Sequence, residues 1–144
     1  MNYRNFLILM LIMIGFAQGC NENQEIRTEE IKDANGKLLK ILYYEGDEAV
    51  KEERFYPSGK IKLKGEYKDG KKNGVWIYYY ETGNIWSKGE FKDDIRNGIA
   101  EVYHENGKPR YKGQYKNGKE SGKWFFYDKS GKLIKEYNFD QENK

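Results

Sequence analysis

One thiol, one imidazole and a few adjacent carboxylates are the groups in this 144-residue chain that could do chemistry. His104, the only histidine, could act as a general base only beside a nucleophile and an orienting partner, and the sequence indicates neither. One histidine and one cysteine do not make a zinc site. The acidic pairs Glu29-Glu30, Glu52-Glu53 and Asp93-Asp94 are sequence neighbours. Neighbours in a strand point to opposite faces and loop acids mostly face water, so none forms a convincing acid/base pair. Asp69, Asp93, Asp94 and Asn117 recur in turns without the ligand spacing of a calcium loop. Gly59-Lys60 and Gly107-Lys108 lack the other residues of a phosphate loop. The expectation is a non-enzymatic protein with no cofactor and no metal site.

The remaining reactive group is Cys20, and its surroundings give it a role. Residues 1–19 hold one base, Arg4, no acid, and an apolar run over 6–17. Twelve residues are too few for a membrane span, which needs about 20 in a helix. A basic start, a short apolar stretch and small residues ahead of a cleavage point make a signal peptide. The sequence Ala17-Gln18-Gly19-Cys20 resembles a bacterial lipobox, although Gln18 and Ala17 depart from its usual residues. That resemblance implies cleavage before Cys20, acylation of its thiol, and a lipid anchor in the cell envelope of an exported protein. Two or three acyl chains hold stably where one is reversible, at about 0.8 kcal/mol per buried methylene. The polar, acidic stretch that follows suggests a tether over residues 20–34.

Behind these groups stands a composition suited to a thin sheet. Aromatic residues are 16% of the chain and charged residues 34%, with 13 Tyr, so apolar surface is carried by rings that can keep a hydroxyl in water. Glycines at 36, 59, 83, 107 and 131 follow Asn, Ser or Thr at intervals of 23, 24, 24 and 24, which is hairpin-turn chemistry. Two residues after each come Leu38, Ile61, Ile85, Pro109 and Leu133; eight after, Tyr44, Tyr67, Phe91, Tyr115 and Phe139. Six after the three central turns come Gly65, Gly89 and Gly113. The alternation places Ile61, Leu63, Gly65 and Tyr67 on one face of a strand and Lys60, Lys62, Lys64 and Glu66 on the other.

A second turn and a return strand complete each unit. Asp69-Gly70, Asp93-Asp94 and Asn117-Gly118 hold the turns, and Trp76, Ala100 and Trp124 share one repeat position while Tyr79, Tyr103 and Tyr127 share another. His104 occupies a variable surface position that holds Tyr56, Tyr80 and Asp128 elsewhere. A lone hairpin cannot bury its face, so the units must stack, giving an all-β, elongated, twisted antiparallel sheet over residues 35–140, with a tail at 141–144. Mid-strand glycine weakens a sheet unless something lies across it. Trp76, Trp86 and Trp124 are the rings expected to do so.

This pattern resembles MORN repeats, most closely the variant grouped with YwqK-like proteins, whose units run aromatic, Gly, aromatic, Gly, Trp, Tyr. The resemblance covers residues 55–131 well, with 32–54 and 132–139 as degenerate ends. Departures are Ala100 for Trp, Asp94 for the turn glycine, Tyr137 for the mid-strand glycine, and a shortened loop at Gly46-Asp47-Glu48; the last two fall where capping repeats are atypical. It implies an interaction module, and since YwqK-like proteins are often labelled antitoxins or immunity proteins, that role as well.

Charge is divided along the chain. Residues 21–54 hold ten acids against six bases, net −4, whereas residues 55–136 hold eighteen bases against eleven acids, net +7. A basic, Tyr-rich face suits a protein partner, with Tyr79, Tyr103, Tyr127, Lys60, Lys62 and Lys64 as contacts. The alternative is peripheral binding to anionic lipid at a membrane or envelope. Lysines on an exposed sheet also serve solubility and edge protection. Export argues against nucleic acid as a partner.

Overall fold

The computed structural model describes residues 25–141. The signal peptide expected over 1–19, Cys20 and residues 142–144 of the tail lie outside the described residues. Strands β1 (Ile26–Lys32), β2 (Leu38–Glu45), β3 (Glu48–Phe55), β4 (Ile61–Lys68) and β5 (Lys71–Tyr79) are followed by β6 (Ile85–Lys92), β7 (Ile95–Tyr103), β8 (Pro109–Lys116), β9 (Lys119–Tyr127) and β10 (Leu133–Asn138). They form one antiparallel sheet in chain order, closed by a short 3₁₀ turn at Phe139–Gln141. The architecture is the expected meander of hairpins.

Turn chemistry sets the register. Asp69 and Gly70 have φ of 52° and 72°, and Asp93 and Asp94 have 52° and 68°, the two positive angles of a type I′ hairpin turn. Asp94 thus adopts the left-handed conformation that Gly70 and Gly118 take at equivalent turns. At the opposite edge the turns are longer: Tyr56 N donates to Lys60 O at 2.8 Å and Gly59 N to Tyr56 O at 2.9 Å, repeated around Gly83, Gly107 and Gly131.

The strand β1 is a correction to the sequence reading, which placed residues 20–34 in a tether and began the repeat domain at residue 35. The sheet begins at Ile26. On the face it shares with Leu42 this strand is held by polar contacts: Tyr44 Oη donates to Glu29 at 2.8 Å, and the Arg27 guanidinium lies 4.1 Å from the Tyr44 ring centre. A strand supported this way carries little apolar signal.

One row of residues crosses the whole sheet and supplies its core. Leu42 pairs with Glu52, Glu52 with Gly65, Trp76 with Gly89, Gly89 with Ala100, Ala100 with Gly113, and Trp124 with Tyr137. Trp76, Ala100 and Trp124 in this row are buried, as are Glu52 and neighbouring Leu63. Trp76 lies over Gly65 and Trp124 over Gly113: a Cβ at either glycine would sit 2.6 Å from the indole Cγ. Each indole stands between rings, Trp76 between Tyr67 and Phe91 (5.3 and 6.4 Å) and Trp124 between Tyr115 and Phe139 (5.2 and 5.9 Å). These near-perpendicular contacts are the favoured edge-to-face geometry.

Trp86 departs from the expectation. Residues 62, 86, 110 and 134 each fall where the strand register shifts and have no cross-strand partner, so each is the extra residue of a β-bulge. Trp86 consequently packs edge-on to Tyr78 at 6.0 Å, is 45% exposed, and does not cover a glycine. Gly89 has no ring over it from Trp86; its nearest neighbours would be Arg96 and Phe91 at 3.7 Å.

Candidate interaction surfaces

The surfaces of this sheet are held in place by side chains that tie each repeat to the next. Tyr56 Oη donates to Tyr79 O at 2.6 Å, Tyr80 Oη donates to Tyr103 O at 2.8 Å, and His104 Nε2 meets Tyr127 O at 3.2 Å. The position read as a variable surface site is therefore a clasp, and a carbonyl acceptor requires the proton on Nε2 of His104. At the two ends the same position is Asp33 and Asp128, whose carboxylates accept backbone N–H groups within their own turns. Asn84 and Asn106 add donors to Glu105 O and Lys129 O, both at 2.8 Å. Along the other edge, Lys72 N donates to Asp94 Oδ1 at 2.9 Å and Asp94 N to Lys72 O at 3.0 Å. Both edges are thus laced from repeat to repeat.

The face carrying Tyr79, Tyr103 and Tyr127 has a charged midline. Glu53, Lys64, Ile77, Lys88, Glu101, Lys112, Phe125 and Glu136 follow one another across paired strands. Glu101 receives Tyr103 Oη at 2.6 Å and faces Lys112 Nζ at 3.0 Å and Lys88 Nζ at 3.8 Å. Burial raises its pKa, but the hydrogen bonds from Tyr103 and Lys112 outweigh that and hold the carboxyl below its ordinary value. Glu53 is held low in the same way, burial opposing and Lys51 and Tyr43 prevailing at 2.8 and 3.1 Å. Burial and then Glu101 push the Tyr103 hydroxyl up to about 12.

The six expected contact residues are only partly gathered. Lys64 Nζ, on the strand before Tyr79, lies 6.0 Å from its ring centre, while Tyr103 is approached from the strand after it, by Lys112 at 5.8 Å. Lys62, at its bulge, lies 5.6 Å from the Tyr56 ring, and Lys60 is exposed in the turn. Gly59, Gly83, Gly107 and Gly131 hold the turns with φ of 82°, 99°, 81° and 87°. Among the described residues no cluster of His, Cys, Asp and Glu is placed to hold a metal ion.

The opposite face contains a buried carboxylate that sequence reasoning did not find. Glu52 takes the position that is Trp76 and Trp124 in later repeats, bound by the Arg54 guanidinium and by Tyr67 Oη at 3.0 Å. Burial, then this bond and the charge of Glu52, raise the Tyr67 pKa to about 12. Its alignment with the Trp position, 24 residues before Trp76, was the available signal.

Four consecutive hairpins, β3–β4, β5–β6, β7–β8 and β9–β10, coincide with four matches to a family model described as MORN repeat variant, at residues 50–69, 72–93, 96–117 and 120–141. The chain belongs to the MORN repeat variant family. In this MORN-repeat protein β1 and β2 form a further hairpin ahead of the matched units. No curated protein sequence matches the chain. Its departures from the repeat acquire a structural meaning: Ala100 removes one indole from the row, and Tyr137 pairs with Trp124 at the last unit.

Proposed function

We propose that this protein is a non-enzymatic interaction module, exported to the bacterial cell envelope, held at the membrane by acylated Cys20, and presenting its tyrosine face to a protein partner. The observation that carries the reading is the arrangement around Glu101. Two lysines and Tyr103 converge on one carboxylate, so the face offers rigid, amphipathic rings among locally neutralised charges. Such a face suits a protein surface, where ordered rings make effective contacts. An anionic bilayer would draw on uncompensated ammonium groups. The MORN family supports a repeat scaffold for interaction rather than catalysis.

An affinity pull-down from cell envelopes with the native and Cys20→Ser proteins tests this. A discrete protein held by both forms is the expected result. Anionic lipid held by the Cys20→Ser form, with no protein, would favour peripheral lipid binding instead. The antitoxin or immunity role is the narrower form of the module reading. Co-expression with neighbouring toxic gene products should restore growth, and failure with every one of them would remove it.

A further inference from the structure

We infer that the missing indole at Ala100 leaves a receptor pocket for an aromatic side chain flanked by carboxylates on a partner protein. The site goes beyond the module reading above, since it lies on the opposite face from Tyr79. Gly89 and Ala100 pair across β6 and β7 and form the floor, both buried. In the flanking hairpins the equivalent floor is covered by Trp76 and Trp124. Here the cavity measures about 240 Å³, walled by Tyr78, Trp86, Phe91 and Tyr111. That is smaller than the roughly 300–1,000 Å³ of small-molecule sites and matches a single large side chain.

Two arginines give the pocket its charge preference. At the edge of this floor the Arg96 guanidinium lies 5.6 and 5.2 Å from the Phe91 and Tyr115 ring centres, as Lys72, its counterpart one repeat earlier, lies 5.6 Å from Phe91 beside Trp76. Arg110, the bulge residue of β8, lines the same cavity. Neither guanidinium has an ion pair among the described residues, in contrast to Lys88 and Lys112, which both face Glu101 on the other side of the sheet. Arginine forks bind carboxylates and stack on rings at once. Of the four wall rings, Trp86 is exposed and open for an incoming side chain to pack against.

The test uses the full-length protein and two five-residue peptides, one with tryptophan between pairs of glutamates and one with alanine in its place. Calorimetry should show the tryptophan peptide binding at least about tenfold more tightly, as expected for a buried aromatic anchor. Ala100→Trp supplies the protein's own indole and should abolish the preference. Arg110→Glu, at an exposed position, should weaken the tryptophan peptide about tenfold through like-charge contact, whether or not the first variant folds. Equal binding of the two peptides, binding of neither, or an unchanged affinity in Arg110→Glu would overturn the pocket. None of these results bears on a partner recovered through the tyrosine face.

Discussion

Gly65 and Trp76 occupy one volume between them: a Cβ on residue 65 would stand 2.6 Å from Cγ of the indole. The same holds for Gly113 and Trp124, and it does not hold for Gly89, whose hairpin partner is Ala100. Gly65→Ala and Gly113→Ala should each destabilise the sheet by about 1–3 kcal/mol, the range for overpacking. Gly89→Ala should stay within about 0.5 kcal/mol of the parent. Urea denaturation of the three variants reads the contrast, and equal losses at all three would contradict the ring-over-glycine arrangement.

Removing the ring tests the same packing from the other side. Trp124 is 4% exposed and touches Tyr115, Tyr111 and Phe139. Trp124→Ala should lower stability by about 3–5 kcal/mol and melt the array from its C-terminal end. Thermal unfolding with hydrogen exchange resolves both, and an unchanged midpoint would refute the prediction.

Much of this fold is legible in the sequence, because two local rules write it. Positive-φ chemistry marks the turns at Gly59, Gly83, Gly107 and Gly131, and alternation marks the strands between them. What escaped depended on contacts between distant residues. In β1, Ile26 and Ile31 lie five apart and so face opposite sides, leaving no period-two apolar pattern; Tyr44 holds the strand through Glu29 and Arg27. The bulges at Lys62 and Trp86 interrupt the alternation that assigned those side chains to faces. The expected row of three lysines is broken by the first of them.

The sequence places His104 at a variable surface position because its role depends on a carbonyl 23 residues away. The clasp it forms should survive His104→Tyr, which restores the residue type found at positions 56 and 80. His104→Ala should cost about 1 kcal/mol, the net worth of one hydrogen bond. Equilibrium denaturation of both variants checks this, and equal behaviour of Tyr and Ala at position 104 would count against the clasp.

Alkaline pH should weaken the sheet through Tyr67 and Tyr103. Both hydroxyls have folded pKa values of about 12, raised first by burial and then by Glu52 and Glu101. The unfolded value is about 10, so the stabilisation is fully present below pH 10 and is lost as pH rises toward 12. Denaturation midpoints measured from pH 8 to 12 should fall less steeply in Tyr67→Phe and Tyr103→Phe than in the parent. Parallel curves would show that these hydroxyls do not carry the effect.

The most direct test of the interaction-module account is a quantitative envelope pull-down comparing the parent with a variant changing Tyr79, Tyr103 and Tyr127 together to Ser, its fold verified by circular dichroism. The account predicts that the protein partner is retained by the parent and lost from the triple variant; equal retention by both would contradict the tyrosine face as the binding surface.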